Sequence, residues 1–351
     1  MTKDSSGRLI LAGDIGGTNT NLALVSHEEG NFRIVFSRRY STQAEISLVA
    51  PMERFLREAS AEGYGSKLES CCVSAAGPVI DDSVRLTNAP WSIHAFELSE
   101  RFGLPVHLIN DFTAVSYAVA LLDPRDREQI GHIPHRDGSE PLPGNGMALV
   151  VGAGTGLGVG FMEKGEGGEC RVYPSEGGHA AMPCWDERSF AFYRWMKDRL
   201  GFDPSIERAV SGQGIDNIFS FLCSDGFPGE LAASILKKNE SERPALIAAN
   251  RLNDSRCSQA MELFAEFYAR EVSSLATAFL PDGGIWLAGG ISSKNEAFLI
   301  ENHRFMRPFE INSEPHIRKF LTGVPVMVVR NYSISLIGAA NAACQLGRTR
   351  L

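Results

Sequence analysis

Seven residues near the start of the chain combine three glycines with a carboxylate and two hydrogen-bonding side chains. They are Gly13, Asp14, Ile15, Gly16, Gly17, Thr18 and Asn19. Glycine lets backbone N–H groups approach a ligand closely, and a concave set of such donors suits a phosphate. A carboxylate beside it can hold a divalent cation, directly or through water. A hairpin turn that uses glycine for its positive φ explains the same residues, so both interpretations stay open.

A second glycine-rich turn, Gly152–Gly158, contains Gly154, Thr155 and Gly156. Like the first, it lies between two apolar runs that predict strands. The recurrence predicts an internal duplication with a central cleft between the copies. Neither turn is a Walker A loop, since the dipeptide Gly-Lys is absent. The dinucleotide fingerprint fails too, because its sixth position is Leu157 or Val159 rather than glycine.

Asn110 and Asp111 follow a short apolar run and precede a predicted helix. Ligands of open α/β sheets bind beyond the carboxyl ends of strands, so Asp111 is placed to act as a general base for a substrate hydroxyl. Asn110 offers both an acceptor and donors to the same substrate. A helix N-cap is the structural alternative, and the two roles are compatible.

Glu176 and His179 flank two glycines in Ser175–His179. Acceptors and mixed donors at this spacing can converge on a polyol. A metal site would need further ligands, and a plain glycine-rich turn is the other alternative. Glu207 follows Ser205, a candidate helix cap, and a glutamate in a first helical turn is explained by the helix dipole alone.

Alternating strand and helix patterns place the chain in the α/β class, with a largely parallel sheet edge. Strands are expected at 9–12, 22–25, 32–36, 68–76, 84–87, 106–109, 147–151, 159–162, 285–288 and 324–329. Helices are expected at 43–62 (closed by Gly63 and Gly65), 93–102, 113–122, 258–280 and 333–346. Residues 123–145 show no hydrophobic periodicity of a helix or a strand. They predict a long surface excursion, in which His132 and His135 lie in a solvated loop. A small domain is therefore expected over 1–122, completed by residues 333–351, and a large one over 123–332.

Composition excludes several classes of function. The 351 residues are 44% hydrophobic and 22% charged, with a net charge of −8 and a pI near 5.6. No basic run exceeds a pair, which argues against nucleic acid or an anionic membrane as the main partner. Seven scattered cysteines without a Cys-x-x-Cys pair predict buried thiols rather than disulfides or zinc. With no apolar run of membrane-spanning length and no signal sequence, a cytoplasmic protein is expected.

Six motifs in order resemble the bacterial ATP-dependent glucokinases of the hexokinase–actin-like (ASKHA) superfamily. They are LAGDIGGTNTNLAL, INDFTAVSYA, VGAGTGLGVGF, SEGGHAAM, SIERAVSGQG and LAGGI, spanning residues 11–293. Ile337–Ala340 resembles the family's closing-helix motif. The resemblance implies a two-lobed actin-like (ribonuclease H-like) α/β fold with a duplicated mixed-sheet core. It also implies phosphorylation of glucose to glucose 6-phosphate, the first step of glucose use in glycolysis, and usually a homodimer.

The resemblance also implies a role for each motif. Asp111 is the catalytic base, and the sugar-binding residues are Asn110, Asp111, Glu176, His179 and Glu207. ATP is held by Gly13–Asn19, by Gly154, Thr155 and Gly156, and on its adenosine side by Gly289 and Gly290. Asp14 lies near Mg²⁺, through water.

One feature separates the chain from the related repressor–kinase (ROK) family, and several alternatives to a glucose kinase stay open. His179 is followed by Ala180-Ala181-Met182-Pro183-Cys184 rather than by a Cys-x-Cys-Gly motif, so no zinc is expected. A kinase for mannose, fructose or an N-acetylhexosamine, and a sugar-sensing regulator with weak turnover, are the alternatives to a glucose kinase. The phosphoryl donor could also be ADP or polyphosphate.

Overall fold

The structure is a computed structural model that describes residues 8–28, 30–64, 68–86, 89, 91–331 and 334–349. Gly65, Thr87 and Ser333, expected at the ends of elements, lie outside the described residues. The strands are β1 (Arg8–Ile15), β2 (Asn19–Glu28), β3 (Asn31–Ser41), β4 (Leu68–Ala75), β5 (Val79–Ile80), β6 (Ser83–Arg85), β7 (Ser92–His94), β8 (Val106–Asn110), β9 (Ile130–His132), β10 (Ala148–Ala153), β11 (Leu157–Lys164), β12 (Cys170–Ser175), β13 (Ile285–Ala288) and β14 (Val326–Val329).

The helices lie mostly in the second half of the chain. They are α1 (Val49–Ala61), α2 (Ala95–Phe102), α3 (Asp111–Val119), α4 (Glu187–Leu200), α5 (Gly212–Leu222), α6 (Glu230–Leu236), α7 (Arg243–Ala249), α8 (Ser255–Phe279), α9 (Gly290–Lys294), α10 (Glu296–Ile300), α11 (Met306–Phe309), α12 (Pro315–Leu321) and α13 (Ser335–Thr349). Short 3-10 turns at Thr42–Ala44, Gly177–His179 and Ile206–Arg208 matter for the site.

The described residues group into two compact units. Unit 1 takes its residues from 1–122, 162–174 and 332–351, and unit 2 from 123–161 and 175–331. The sequence did not anticipate that the hairpin 162–174 would join unit 1. The expected domain boundaries otherwise stay a prediction.

Unit 1 is built on a sheet of order β3-β2-β1-β4-β8. β1 pairs antiparallel with β2 and parallel with β4, which is parallel to β8. A small antiparallel sheet, β5-β6-β7, accompanies it. Buried side chains of β1, β2, β4 and α1 form the core, with Met52 and Phe55 fully buried. α13 packs on α3 so closely that a Cβ on Gly338 would lie 1.8 Å from the carbonyl oxygen of Ala114.

The second sheet has the order β12-β11-β10-β13-β14-β9. β10, β13 and β14 are parallel, and β9 closes the edge antiparallel to β14. Its first five strands repeat the order of the unit 1 sheet, which confirms the duplicated mixed-sheet core. α8 runs through the core of unit 2; Asp254 caps it by accepting from the Cys257 N–H, and the helix ends at Leu280.

The expectation of a surface excursion over 123–145 holds for 123–129 and 136–145, whose residues are exposed or half-buried, but it is wrong for 130–135. This segment contains β9, whose residues are buried, and His132 and His135 are only 6% and 1% exposed. His135 Nδ1 lies 2.9 Å from Glu310 Oε1, and its Nε2 lies 3.0 Å from the Val324 carbonyl oxygen. Partners in distant parts of the chain satisfy both ring nitrogens, which allows the imidazole to be buried.

Two helices start later than expected because residues before them belong to other elements. α1 starts at Val49 rather than residue 43, since Thr42 is held in its own 3-10 turn. α2 starts at Ala95 because Ile93 lies in β7. All seven cysteines are free thiols and five are buried, as predicted. Among the described residues, no helix is both long and apolar enough to span a bilayer.

Candidate active site

Three parallel strands of unit 1 end at one edge of the sheet. The register pairs Ile15 of β1 with Ala75 of β4, and Ala75 with Asn110 of β8. Residues just beyond these strands therefore emerge side by side, as the carboxyl ends of parallel strands do. This edge brings the first glycine-rich turn into the neighbourhood of Asn110 and Asp111.

The first turn, Gly16–Thr18, joins β1 to β2 as predicted and is fixed by Thr42. The Gly16 N–H donates to the Asn19 carbonyl at 2.8 Å. Thr42 donates its hydroxyl to the Gly16 carbonyl at 2.8 Å and its N–H to the Thr18 carbonyl at 2.9 Å. Thr42 was not predicted as a site residue, because a lone threonine after a predicted strand does not indicate a contact with a distant turn.

Asp14 lies in β1, half-buried, one residue before the strand ends. Its Oδ2 accepts a hydrogen bond of 2.9 Å from the hydroxyl of Ser335, which lies 321 residues later in α13. Burial raises the pKa of Asp14, although hydrogen bonds from Ser335 and Asn21 and the charge of Arg39 oppose the shift. A carboxylate whose charge is disfavoured by burial gains from a nearby cation, so its chemistry fits the predicted role near Mg²⁺.

Asn110, rather than Asp111, is the N-cap of α3. Its Oδ1 accepts from the N–H groups of Phe112 and Thr113, at 2.8 and 3.3 Å, and its Nδ2 donates to the Gly77 carbonyl. Asp111 is the first helical residue and is exposed; its Oδ1 accepts from the Phe112 N–H at 2.8 Å. The cap and the candidate base are thus two neighbouring residues.

In unit 2 the second turn, Gly154–Gly156, joins β10 to β11, again as predicted. Glu207 lies against it: its Oε2 accepts from the Leu157 N–H at 2.9 Å. A Cβ on Gly156 would lie 2.5 Å from that oxygen, so any side chain there would displace the carboxylate from its observed position.

Glu207 does not begin a long helix. It lies in the 3-10 turn Ile206–Arg208, and Ser205 makes no side-chain cap there. Ser211 is the cap instead, since it accepts from the Gly214 N–H at the start of α5. The Ser211 hydroxyl also donates to the Glu207 carbonyl at 2.8 Å. The helix-dipole explanation of Glu207 therefore falls away.

Glu176 immediately precedes a 3-10 turn that ends at His179, and both side chains remain accessible. Their Oε2 and Nε2 atoms are 3.6 Å apart, and the side chains are 60% and 61% exposed. A Cβ on Gly178 would lie 2.0 Å from the Leu157 carbonyl oxygen, so this loop lies directly on the start of β11. The Ile206 N–H donates to the Ala180 carbonyl at 2.9 Å, which ties the loop to the Glu207 turn. Unit 2 thus brings Glu176, His179 and Glu207 together beside the second glycine-rich turn.

Gly289 and Gly290 join β13 to α9 rather than to another strand. Gly289 has φ of 102°, and a Cβ there would lie 2.6 Å from the Ala153 carbonyl oxygen. Because Ala153 is the last residue of β10, this third glycine element lies next to the second turn.

The order and placement of these elements match one protein family. The glucokinase family model matches residues 11–346. The chain belongs to the glucokinase family. A glucokinase of Nostoc punctiforme is 35% identical over 356 residues, covering 96% of this chain and 99% of the relative. These findings confirm the family resemblance drawn from the six motifs.

Solved structures agree with the glucokinase assignment. A glucokinase from an Antarctic psychrotroph has a TM-score of 0.77 at 25% identity, covering 96% of this chain and 98% of that one. The glucokinase of Balamuthia mandrillaris, solved with glucose, has a TM-score of 0.74 at 22% identity, with 98% and 96% covered. The predicted actin-like α/β fold is that of glucokinase structures.

Proposed function

We propose that this glucokinase-family protein transfers the γ-phosphoryl group of ATP to the primary hydroxyl of glucose, giving glucose 6-phosphate, as the first step of glycolytic glucose use. The observation that carries the proposal is the placement of Asp111. Its carboxylate is exposed directly beyond a parallel strand, at the sheet edge from which the first glycine-rich turn also emerges.

Asp111 accepts the proton of the attacking hydroxyl. Its Oδ1 accepts from the Phe112 N–H, which fixes the orientation of the carboxyl group. A general base must lie within hydrogen-bonding reach of the proton that it accepts, and the first turn of α3 holds the Asp111 carboxyl group in a fixed position. Phosphoryl transfer is otherwise a matter of positioning and charge stabilisation.

Asn110, Glu176, His179 and Glu207 hold the sugar hydroxyls. Asn110 contributes an N–H, because its oxygen is committed to the cap. Glu176 and Glu207 contribute acceptors, and His179 contributes either a donor or an acceptor. This mixture suits a polyol with several hydroxyls.

Backbone N–H groups of Gly13–Asn19 and of Gly154, Thr155 and Gly156 bind the phosphates of ATP. Gly289 and Gly290 form the adenosine side, next to the second turn. Asp14 would hold Mg²⁺ through water, with Ser335 fixing its Oδ2. When bound, the ion would neutralise charge on the phosphate oxygens.

A coupled assay of sugar phosphorylation tests the proposal. Purified protein is given ATP, ADP or polyphosphate with glucose, mannose, fructose or an N-acetylhexosamine. Glucose with ATP should give the highest kcat/KM. A higher value for another sugar would reassign the substrate, and no turnover with any pair would favour the sugar-sensing alternative.

We further propose a homodimer in the cytoplasm, on the resemblance to the family alone. Sedimentation velocity at several protein concentrations tests the dimer, and cell fractionation tests the location. A monomer across the whole concentration range would refute the first.

A further inference from the structure

We propose that Glu207 couples the two substrates, because one of its carboxylate oxygens is held by the second glycine-rich turn while the other is free to bind a sugar hydroxyl. The inference rests on the proposed function, which takes Glu207 as a sugar ligand and the turn as a phosphate-binding element. It adds a positioning role for Gly156, which acts on the sugar through Glu207 and not by direct contact.

The two oxygens of Glu207 face different ways. Oε2 accepts from the Leu157 N–H at 2.9 Å. A Cβ on Gly156 would lie 2.5 Å from Oε2 but 3.9 Å from Oε1, so Oε1 points away from the turn. Each carboxylate oxygen can accept hydrogen bonds on its own, so a sugar hydroxyl on Oε1 does not displace the bond at Oε2.

The backbone of Leu157 lies between the two segments that carry the proposed sugar ligands of unit 2, the Glu207 turn and the loop of Glu176 and His179. Glu207 holds its N–H, while Gly178 packs against its carbonyl oxygen, where a Cβ would lie at 2.0 Å. The loop that carries Glu176 and His179 therefore rests on the same residue as Glu207. A displacement of the second turn moves the supports of all three sugar ligands of unit 2.

A second bond ties the turn to the Glu207 segment. The Gly212 N–H, in the first turn of α5, donates to the Gly154 carbonyl at 2.7 Å. Ser211, next to Gly212, donates to the Glu207 carbonyl at 2.8 Å. The glycine-rich turn and the 3-10 turn of Glu207 are thus fastened to each other at both ends.

Positive coupling follows from this arrangement. Sugar on Oε1 holds Glu207 in place and thereby orders the turn that receives the phosphates, and bound phosphates order the turn that positions Glu207. A second ligand that meets an already ordered element binds more tightly, and the effect is reciprocal. Glucose should therefore tighten the binding of a non-hydrolysable ATP analogue by about tenfold, within the usual range of such couplings.

Gly156→Ala tests the coupling, with Gly323→Ala in the same unit as its control. A Cβ at Gly323 would meet the Phe320 carbonyl oxygen at an ordinary contact distance of 3.5 Å, whereas one at Gly156 would lie 2.5 Å from Glu207 Oε2. Glucose affinity is measured by calorimetry without nucleotide, and then with the analogue. Gly156→Ala should weaken glucose binding by about tenfold and abolish the mutual tightening, while Gly323→Ala should leave both unchanged.

A double-mutant cycle assigns the effect to Glu207. Thermal unfolding is measured for Gly156→Ala, Glu207→Ala and the double variant, so the readout does not depend on activity. The loss of Tm caused by Gly156→Ala should disappear once Glu207 is Ala. An undiminished loss in that background would overturn the proposal, as would parental glucose affinity in Gly156→Ala.

Failure of this inference is distinguishable from failure of the proposed function. If the parent phosphorylates glucose but Gly156→Ala binds it as the parent does, only the coupling is refuted. If the parent binds no glucose at all, the proposed function fails first and the Tm cycle still tests the Glu207–Gly156 contact.

Discussion

Asn110 uses most of its hydrogen-bonding capacity inside the protein. Its oxygen accepts two helix N–H groups and its amide donates one N–H to Gly77. One N–H remains for a ligand. Because Asn110 caps the start of α3, the neighbouring Asp111 is not needed as the cap, which is compatible with its proposed role as a base.

Asp111→Asn should lower kcat by about 100-fold or more, since general-base catalysis contributes at least that much. Glucose affinity should be retained, because the amide oxygen still accepts from the Phe112 N–H. Coupled turnover assays and calorimetry measure the two effects. Asp137→Asn is the control, since Asp137 lies in an exposed loop and its carboxylate accepts hydrogen bonds from Ser139. Parental turnover by Asp111→Asn would remove the base assignment.

At this scale the sequence singles out candidate site residues but not the partners that hold them. Residue type and motif context singled out Asn110, Asp111, Glu176 and Glu207. The Asp14–Ser335 bond joins residues 321 positions apart, and no local pattern encodes such a contact. His135 was mistaken for a solvated residue because its partners, Glu310 and Val324, lie 175 and 189 residues further along the chain.

Among elements, the two glycine-rich turns do not owe their glycines to positive φ. Gly16, Gly154 and Gly156 all lie outside the positive-φ region, so the hairpin explanation based on φ does not apply to them. Gly156 makes room for Glu207, whereas a Cβ on Gly16 would meet the Asn19 carbonyl oxygen at an ordinary 3.5 Å and one on Gly154 would meet nothing within 4 Å. The strand–turn–strand pattern itself was predictable from apolar runs, whereas the neighbour that each glycine accommodates was not.

Helix α13 provides a test of packing at the same scale. Gly338→Ala should lower the free energy of unfolding by about 3 kcal/mol or more, because its Cβ would overlap the Ala114 carbonyl and push α13 off α3. Gly347→Ala on the same helix is the matched control, since nothing lies within 4 Å there. That change should leave stability unchanged or raise it by up to about 1 kcal/mol. Chemical denaturation measures both, and equal stabilities would refute the packing argument.

Across the whole molecule, one buried carboxyl group makes stability depend on pH. Glu271 of α8 is 5% exposed, and burial raises its pKa to about 7 from 4.5. Between these values the folded chain binds more protons than the unfolded chain does. Stability from this group is therefore fully present below pH 4.5 and is lost as pH rises through 7.

Glu271→Gln should remove this loss. At pH 8 the variant should be more stable than the parent by up to about 3 kcal/mol, while near pH 4.5 the two should be alike. Urea denaturation at both pH values measures the difference. Glu262→Gln, on an exposed position of the same helix, should change neither value. A parent whose stability does not fall between these pH values would contradict the raised pKa.

Unit 1 is assembled from the beginning, a middle hairpin and the end of the chain. During synthesis, β1, β2, β4 and β8 leave the ribosome more than 200 residues before α13, the helix that packs on α3 and supplies Ser335. Unit 2 uses only residues 123–161 and 175–331, so all of its segments emerge before α13. Translation therefore completes the first unit last, and in a nascent chain halted before residue 335 the side of α3 that α13 covers lacks its partner helix.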